Sequence, residues 1–250
     1  MNHHTAWYQD ESFWRTIYPY MFDAKRHART SKEVDGIIKQ LDLQPDDSVL
    51  DLGCGDGRHL LELARRGYQK ITGVDSTKYY LDIAKERTAA EGLPIEFIQD
   101  DMRSPRNEGA YEAVLSLFSS LGYFEKHEEN LRVLRNAHRA LKRGGKLLVD
   151  VRGKENFAYH FDEEGWTESD GTYVLTRRMP LNDFSIIENH WTIIESGNAK
   201  ELVFSHWIYS AQELKNMCEA AGFSDITAYG GMDGSPYSYQ SPRLIMVARK

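Results

Sequence analysis

An apolar segment runs into closely spaced glycines in the stretch Val49-Leu50-Asp51-Leu52-Gly53-Cys54-Gly55-Asp56-Gly57-Arg58-His59. The apolar residues predict a buried strand and the residues from Arg58 onward predict a helix, with the glycines in the turn between them. Glycine permits a tight turn and lets a ligand approach the main chain closely. The same loop could be only a structural turn, so residues further along the chain are needed to assign its function.

Strand-like and helix-like segments alternate on both sides of this loop. We predict helices over residues 31–43, 58–66, 77–91 and 127–141, and strands over 48–52, 71–74, 95–98, 113–117 and 146–151. The glycine pair Gly144-Gly145 is expected to end the last helix in a left-handed conformation. The first thirty residues are aromatic and are expected to be irregular. The alternation predicts an α/β fold with a mostly parallel sheet and helices on both faces.

The alternation stops after Val151. Residues 153–209 contain no good helical pattern, but three β-branched and aromatic segments, 172–177, 185–194 and 201–209, predict a small antiparallel β insertion after strand five. A capping-box sequence from Ser210 then begins a helix, and strands are expected at 225–229 and 243–248. We therefore divide the chain into a main domain, residues 1–152 and 210–250, and an insertion, residues 153–209.

Composition narrows the classes of function. The chain has 31 basic and 38 acidic residues and a net charge of -7, which disfavours non-specific nucleic-acid binding. It contains no apolar run of the roughly 20 residues that cross a bilayer, so no membrane partner is expected. Residues 1–5 lack the pattern of a leader sequence. The two cysteines are far apart and match no metal-ligand spacing, which indicates reduced thiols, a cytoplasmic location and no metal.

Two acidic positions follow the glycine loop at informative distances. Asp75 ends the second predicted strand about twenty residues after the loop, where a carboxylate can accept both hydroxyls of an adenosine ribose. Asp101 and Met102 follow the third strand, where the acid can accept from an adenine amino group and the thioether can pack on the ring. The order of these features along the chain favours a binding site for an adenosine-containing cofactor.

These segments resemble the motifs of class I S-adenosylmethionine-dependent methyltransferases and occur in that family's order. Residues 111–117 and 141–147 resemble the fourth-strand motif and the turn before the fifth strand, although Glu112 stands where the family usually has Asp. The resemblance covers residues 49–151, and the final helix and strands extend it. It implies a Rossmann-like, seven-stranded sheet and S-adenosyl-L-methionine as cofactor. The glycine spacing and Asp56 argue against a pyrophosphate-binding dinucleotide site.

The resemblance also implies which residues bind the cofactor. From the motifs these are Gly53, Cys54, Gly55, Gly57, His59, Asp75, Ser76, Asp101, Met102 and Leu117. Two more come from the N-terminal segment: Tyr18, whose aromatic ring could face the positive sulfonium, and Arg29, which resembles the arginine that glycine-type methyltransferases use on the cofactor carboxylate.

The expected acceptor is a small molecule, because no Asn-Pro-Pro-Tyr or Pro-Cys sequence of nucleic-acid or protein methyltransferases is present. Methyl transfer from a sulfonium mainly requires alignment and exclusion of water, so no catalytic residue can be assigned. Arg152 could hold an acceptor carboxylate, or it could pair with a nearby acid as a surface arginine. Candidates for acceptor contact lie in the aromatic N-terminus, at the ends of strands four and five, and in the insertion: Tyr8, Trp14, Ser119, Ser120, Tyr123, Arg152 and His206.

Three alternatives stay open at this point. The chain could use S-adenosylmethionine for a different reaction, such as an intramolecular cyclisation that releases methylthioadenosine. It could also be a non-catalytic module, which a blocked cleft would favour. The aromatic insertion could be a lid over the acceptor or the interface of a homodimer.

Overall fold

The structure, a computed structural model, describes residues 6–169 and 171–250; residues 1–5, where we predicted no leader sequence, lie outside it. In the described residues the helices are α1 (Glu11–Met21), α2 (Ala24–Leu41), α3 (Arg58–Arg65), α4 (Lys78–Glu91), α5 (His127–Ala140), α6 (Lys154–Tyr159) and α7 (Ala211–Ala220). The strands are β1 (Ser48–Leu52), β2 (Lys70–Asp75), β3 (Ile95–Gln99), β4 (Tyr111–Ser116), β5 (Leu141–Val151), β6 (Glu164–Ser169), β7 (Thr172–Leu181), β8 (Ile186–Glu195), β9 (Asn198–Trp207), β10 (Ser224–Tyr229) and β11 (Leu244–Arg249).

The main sheet has seven strands in the order β10-β11-β5-β4-β1-β2-β3. Strands β1 to β5 are parallel to one another, whereas β11 runs antiparallel to both β5 and β10. The predicted seven-stranded, mostly parallel sheet is therefore confirmed. The strand order changes direction between β1 and β4, and in open α/β sheets ligands bind outside the carboxyl ends of the strands at such a point.

Side chains alternate between two hydrophobic cores, one on each face of this sheet. In β4, Val114 packs in the core formed with α5 and α7, whereas Ala113 and Leu115 pack in the core formed with α2 and α3. The same alternation separates Leu50 from Val49 in β1, as the two-residue period of a strand requires. The prediction of helices on both faces is thus confirmed.

The insertion contains more elements than predicted, within the same span of residues. It contains a four-stranded antiparallel sheet in the order β6-β7-β8-β9 and begins with the short helix α6, so the predictions of three strands and of no helix were wrong. Strand β6 is mostly exposed and lacks the alternation that identifies a half-buried strand. The two ends of the insertion lie side by side, because the Lys154 N–H donates to the Tyr209 carbonyl at 2.9 Å.

The N-terminal segment is helical, contrary to the expectation of an irregular one. The Asp10 side chain accepts from the Ser12 N–H at 2.8 Å and caps α1, and Asp23 caps α2 by accepting from the Arg26 N–H at 2.7 Å. Helix α5 also differs: it ends at Ala140, before the glycine pair. Gly144, with φ of +80°, instead occupies an irregular part of β5 where the pairing with β4 shifts register.

An aromatic cluster joins α1 to the insertion and to α4. Phe13 and Trp14 of α1 pack with Leu202 of β9 and with Tyr80 of α4. Helix α1 therefore covers the inner face of the insertion sheet, the face turned toward the carboxyl edge of the main sheet. Among the described residues, none of the helices has the length and apolar character needed to span a membrane.

Candidate cofactor and acceptor site

A cavity of about 240 Å³ lies at the carboxyl ends of β1 and β2. It brings together nine of the predicted cofactor residues: Gly53, Cys54, Gly55, His59, Asp75, Ser76, Asp101, Met102 and Leu117. It is also lined by four of the predicted acceptor residues, Tyr8, Trp14, Ser120 and Tyr123. We refer to it as the cofactor cavity.

Asp75, the last residue of β2, ties the glycine loop to the start of α4. Its Oδ2 accepts from the Gly55 N–H at 2.8 Å, and its Oδ1 accepts from the Thr77 N–H at 2.8 Å. Burial raises the pKa of this carboxyl above its usual value, while the two backbone donors oppose that rise. The side chain thus fixes the loop and still forms part of the cavity wall.

The three glycines of the loop have different surroundings. A Cβ on Gly53 would lie 2.7 Å from the Ser120 Cβ, and one on Gly55, where φ is +56°, would lie 3.1 Å from the Phe22 Cζ. Both glycines therefore keep space open at the cavity. Gly57 does not line it; a Cβ there would meet Ala84 of α4 instead. Its placement indicates a role in helix packing, and the predicted contact of Gly57 with the cofactor stays a prediction.

Asp51 lines the same cavity, although it was not among the predicted cofactor residues. Its side chain is 1% exposed, and its Oδ1 has no hydrogen-bond partner among the described residues. Burial, together with the charge of Asp75, raises the pKa of Asp51 to about 7. The signal in the sequence was an acid within an otherwise apolar strand. An unsatisfied buried carboxylate fits a cationic group, such as the ammonium of the methionine portion of S-adenosylmethionine.

The residues after β3 form the opposite side of the cofactor cavity. Asp101 lines it as predicted, and its Oδ2 accepts from Arg103 Nη2 at 2.6 Å. The neighbouring Asp100 also lines it and pairs with Arg106. The Met102 Cε lies 3.1 Å from the position of a Gly53 Cβ, so the thioether covers the glycine loop. The predicted adenine contacts of Asp101 and Met102 stay predictions.

Tyr18 and Arg29 lie outside the cofactor cavity. The Tyr18 hydroxyl donates to Asp56 Oδ2 at 3.2 Å, and Arg87 donates to the same oxygen at 2.6 Å. Tyr18 therefore ties α1 to the glycine loop and to α4. Arg29 is exposed on α2 and lines a second, larger cavity. Neither is part of the lining of the cofactor cavity, and their contacts with the cofactor stay predictions.

The second cavity has a volume of about 1190 Å³ and lies between α1, α2, the carboxyl edge of the main sheet and the insertion. It contains the predicted acceptor residues Ser119, Tyr123, Arg152 and His206, and we refer to it as the acceptor cavity. Trp14, Met21, Phe118 and Tyr123 line both cavities. The two cavities therefore adjoin across a shared, largely aromatic wall.

The turn after β4 places Phe118 in that wall. Phe118 and Ser119 have φ of +56° and +63°, a left-handed conformation that costs energy for residues other than glycine. Asp150 holds the turn: its Oδ2 accepts from the Phe118 N–H at 3.1 Å and its carbonyl accepts from the Ser119 N–H at 2.8 Å. Arg243 donates to Asp150 Oδ1 at 2.6 Å and to Ser119 Oγ at 3.1 Å. Periodicity alone does not indicate this network.

His206 lies on the inner face of the insertion. Burial and the charge of Arg152 lower the pKa of its imidazole to about 4, so the ring is neutral near pH 7. Asn189 Nδ2 lies 3.3 Å from His206 Nδ1 and 3.3 Å from the Ile187 carbonyl oxygen. Because the amide nitrogen can only donate, His206 Nδ1 accepts and the imidazole proton resides on Nε2.

The described parts of the chain contain no group of three or more His, Cys, Asp or Glu side chains arranged to hold a metal ion. That activity needs no metal stays a prediction.

Comparisons with known proteins show which class of enzyme this chain resembles. Residues 49–145 match a family model described as a methyltransferase domain. The candidate methyltransferase YqeM of Bacillus subtilis (strain 168) is 26% identical over 81% of this chain and 83% of its own length. The glycine/sarcosine N-methyltransferase of Aphanothece halophytica is 24% identical over 90% of this chain and 84% of its own length.

Solved structures show the same fold. The CcbJ methyltransferase from Streptomyces caelestis superposes with a TM-score of 0.77 at 20% identity, over 88% of this chain and 94% of its own. CalS10 from Micromonospora echinaspora, an amino pentose methyltransferase whose structure contains the bound cofactor, gives a TM-score of 0.68 at 19% identity, over 94% and 95% of the two chains.

The strand order and the acid-tied glycine loop have the arrangement of the class I, Rossmann-like methyltransferase fold. The chain is an S-adenosylmethionine-dependent methyltransferase, and S-adenosyl-L-methionine is its cofactor.

Proposed function

We propose that this enzyme transfers the methyl group of S-adenosylmethionine to a small molecule bound in the acceptor cavity. The observation that carries the proposal is the shared wall, since Trp14, Phe118 and Tyr123 face both cavities. A reacting atom in the acceptor cavity can therefore come close to a group held in the cofactor cavity. An open cavity of about 1190 Å³ also argues against a non-catalytic module.

The cofactor would be held by residues that the cavity already presents. Asp75 would accept from the ribose hydroxyls, Asp51 would meet the ammonium group, and Gly53 and Gly55 would leave the space that the cofactor requires. When bound, it supplies a methyl carbon activated by a sulfonium. The aromatic wall would favour that positive charge and exclude water, and alignment of the acceptor would supply most of the rate enhancement.

We also propose that the insertion, residues 153–209, is a lid that selects the acceptor. Its inner face contributes Arg178, Asn189, Phe204 and His206 to the acceptor cavity. The names of CalS10 and of the Aphanothece relative describe methylation of an amino sugar and of an amino acid, which supports a small-molecule acceptor. The atom that is methylated stays open. Two buried free cysteines, Cys54 and Cys218, support a cytoplasmic location.

The test is production of S-adenosylhomocysteine by the purified chain from S-adenosylmethionine and a panel of small amines, alcohols and acids. Release of methylthioadenosine would indicate a cyclisation instead, and turnover lost with a chelator and restored by magnesium would contradict our metal-free mechanism.

Asp75→Ala should weaken S-adenosylmethionine and S-adenosylhomocysteine alike, because both contain the ribose. We expect a loss of about 1.5–3 kcal/mol, the range for hydrogen bonds to a charged group, measured by calorimetry. Asp82→Ala is the control, because Asp82 is an exposed acid of α4 that pairs with Lys78. Wild-type affinity in Asp75→Ala would contradict the ribose assignment.

A further inference from the structure

The acceptor cavity is basic, although the whole chain is acidic. Its lining contains seven lysine and arginine side chains and four aspartate and glutamate side chains, whereas the net charge of the chain is -7. Such a local excess of positive charge attracts an anion into a cleft with low-dielectric walls.

Three of the four acids in the lining already bind basic partners. Glu33 accepts from Arg58 and lies 3.0 Å from His59 Nε2, Asp35 pairs with Arg66, and Asp150 pairs with Arg243. The fourth, Asp233, accepts from the Ser235 N–H at 3.0 Å. Only Arg243 among the cavity's basic side chains is paired with one of these acids, so the lining does not neutralise itself.

Arg152 and Arg178 lack a carboxylate partner within residues 6–169 and 171–250. The guanidinium of Arg152 stacks on Phe157 at 4.5 Å from the ring centroid. Burial lowers the pKa of Arg152, and the positive charges of Arg178 and Arg243 lower it further. Arg178 donates to the Asp162 carbonyl at 3.1 Å, a neutral acceptor that uses one of its five N–H groups.

Arg26 extends the basic lining toward the shared wall. Its guanidinium lies 3.8 Å from the centroid of the Phe118 ring, and its buried Nε has no hydrogen-bond partner among the described residues. His206 contributes a further donor on the insertion side, the N–H of its Nε2. It lies beside Asn189, which is opposite Arg178 in the register of β7 and β8.

Partly buried guanidinium groups that repel one another are unfavourable unless an anion joins them. A planar fork of N–H donors matches the two oxygens of a carboxylate and the oxygens of a phosphate. We propose that the methyl acceptor carries an anionic group, a carboxylate or a phosphate monoester, that binds between Arg152 and Arg178 while its nucleophilic atom faces the shared wall. This inference rests on the proposed function, because it takes the acceptor cavity to be the substrate site.

Small aromatic probes that differ in charge test the proposal. Benzoate and phenyl phosphate are titrated into the full chain, alone and with S-adenosylhomocysteine, and are compared with benzamide, the neutral analogue of benzoate. We expect both anions to bind at least about tenfold more tightly than benzamide, the difference that a charge-assisted hydrogen bond supplies. The anion that binds more tightly indicates whether the natural group is a carboxylate or a phosphate.

Variants of neighbouring residues provide the matched control. Arg178→Ala and Arg152→Gln should each lower the affinity for the anions, relative to that for benzamide, by about tenfold. Neither should change the affinity for S-adenosylhomocysteine. Arg177→Ala should change neither, because Arg177 lies on the opposite face of β7 and is paired with Glu163 at 3.5 Å. Arg178→Lys should restore part of the preference.

The result that overturns the proposal is benzamide binding as tightly as benzoate, or an equal loss in Arg177→Ala. Because the anions are titrated with and without S-adenosylhomocysteine, the proposal is decided separately from the proposed function. Failure of S-adenosylhomocysteine to bind would count against methyl transfer, whereas charge-independent binding of the probes would count against the anionic acceptor alone.

Discussion

At the scale of single residues, two of the carboxylates that line the cofactor cavity, Asp51 and Asp75, differ in their hydrogen bonding. Asp75 receives two backbone hydrogen bonds, whereas Asp51 has an oxygen with none among the described residues. Asp51 is buried and Asp75 beside it is half-buried, so ionising both carboxyls at once costs free energy. Asp51 is the group that changes protonation near neutral pH, because its pKa is about 7.

The position of that pKa predicts a pH-dependent affinity for S-adenosylhomocysteine. A cationic ammonium binds the ionised form of Asp51, so protonation competes with binding as the pH falls below about 7. We expect affinity to fall by up to about tenfold per pH unit between about pH 7 and about pH 5.5, measured by calorimetry.

Asp51→Asn should bind weakly and with no such slope, because an amide does not titrate. Asp82→Asn, a change at an exposed acid of α4, should keep the wild-type slope. The same slope in Asp51→Asn as in the wild type would assign the titration to another group.

At the scale of elements, the glycine loop combines a backbone conformation with a requirement for space. Gly55 and Gly92 have similar φ, +56° and +64°, but only Gly55 has a neighbour near its missing Cβ. Nothing lies within 4 Å of that position at Gly92, at the end of α4. Comparing substitutions at these two glycines therefore distinguishes backbone strain, which both would cause, from loss of space for the cofactor, which only Gly55 would cause.

Gly55→Val and Gly92→Val should each lose at least about 1–2 kcal/mol of unfolding free energy, since a side chain is strained in the left-handed region. Only Gly55→Val should also lose S-adenosylhomocysteine binding, because its side chain meets Phe22 and enters the cavity. Thermal unfolding and calorimetry on both variants measure the two effects. Normal binding by a folded Gly55→Val would limit the glycine to a role in the turn.

Elements with a clear period were predictable, and the others were not. The central strands could be predicted from short apolar runs and the helices from the helical spacing of apolar residues. The places of the glycine loop and Asp75 could be predicted from their order in the chain. Helix α1 was missed because its aromatic residues surround Pro19, and α6 because it has six residues. Strand β6 was missed because its residues are mostly exposed.

The site divides in the same way. The position of the residues near the motifs could be predicted from the sequence, because local order places them at the strand ends that line the cofactor cavity. Arg26, Arg178 and Arg243 belong to segments far apart in the chain, and only packing of the insertion and of α1 brings them to one cavity. A charged residue in an amphipathic strand or helix otherwise indicates a solvent-exposed face, so the pattern alone did not select them.

At the scale of the whole molecule, the two faces of the insertion sheet differ. The inner face packs on α1 and lines the acceptor cavity, for instance with Phe204. The outer face exposes apolar side chains, with Trp166 67% and Val203 52% exposed. A lid depends on the inner face, whereas a homodimer interface would use the outer one.

Two substitutions, one on each face, distinguish these roles. Phe204→Ala should reduce turnover of the acceptor by about tenfold or more through lost packing at the cavity, with the oligomeric state unchanged. Trp166→Glu should leave turnover unchanged if the insertion is a lid. Light scattering and activity are measured on both. A dimer that becomes monomeric in Trp166→Glu, with Phe204→Ala fully active, would favour the interface.

The adjacency of Gly153 and Tyr209 has a consequence for how such an enzyme can diversify. The chain leaves the main domain and re-enters it at one point, where the two residues form a bridge. Replacing everything between them requires no rearrangement of β5 or α7. If the insertion is the lid that we propose, its share of the acceptor specificity can be exchanged as a cassette, by recombination or by engineering, while β5 and α7 keep their places.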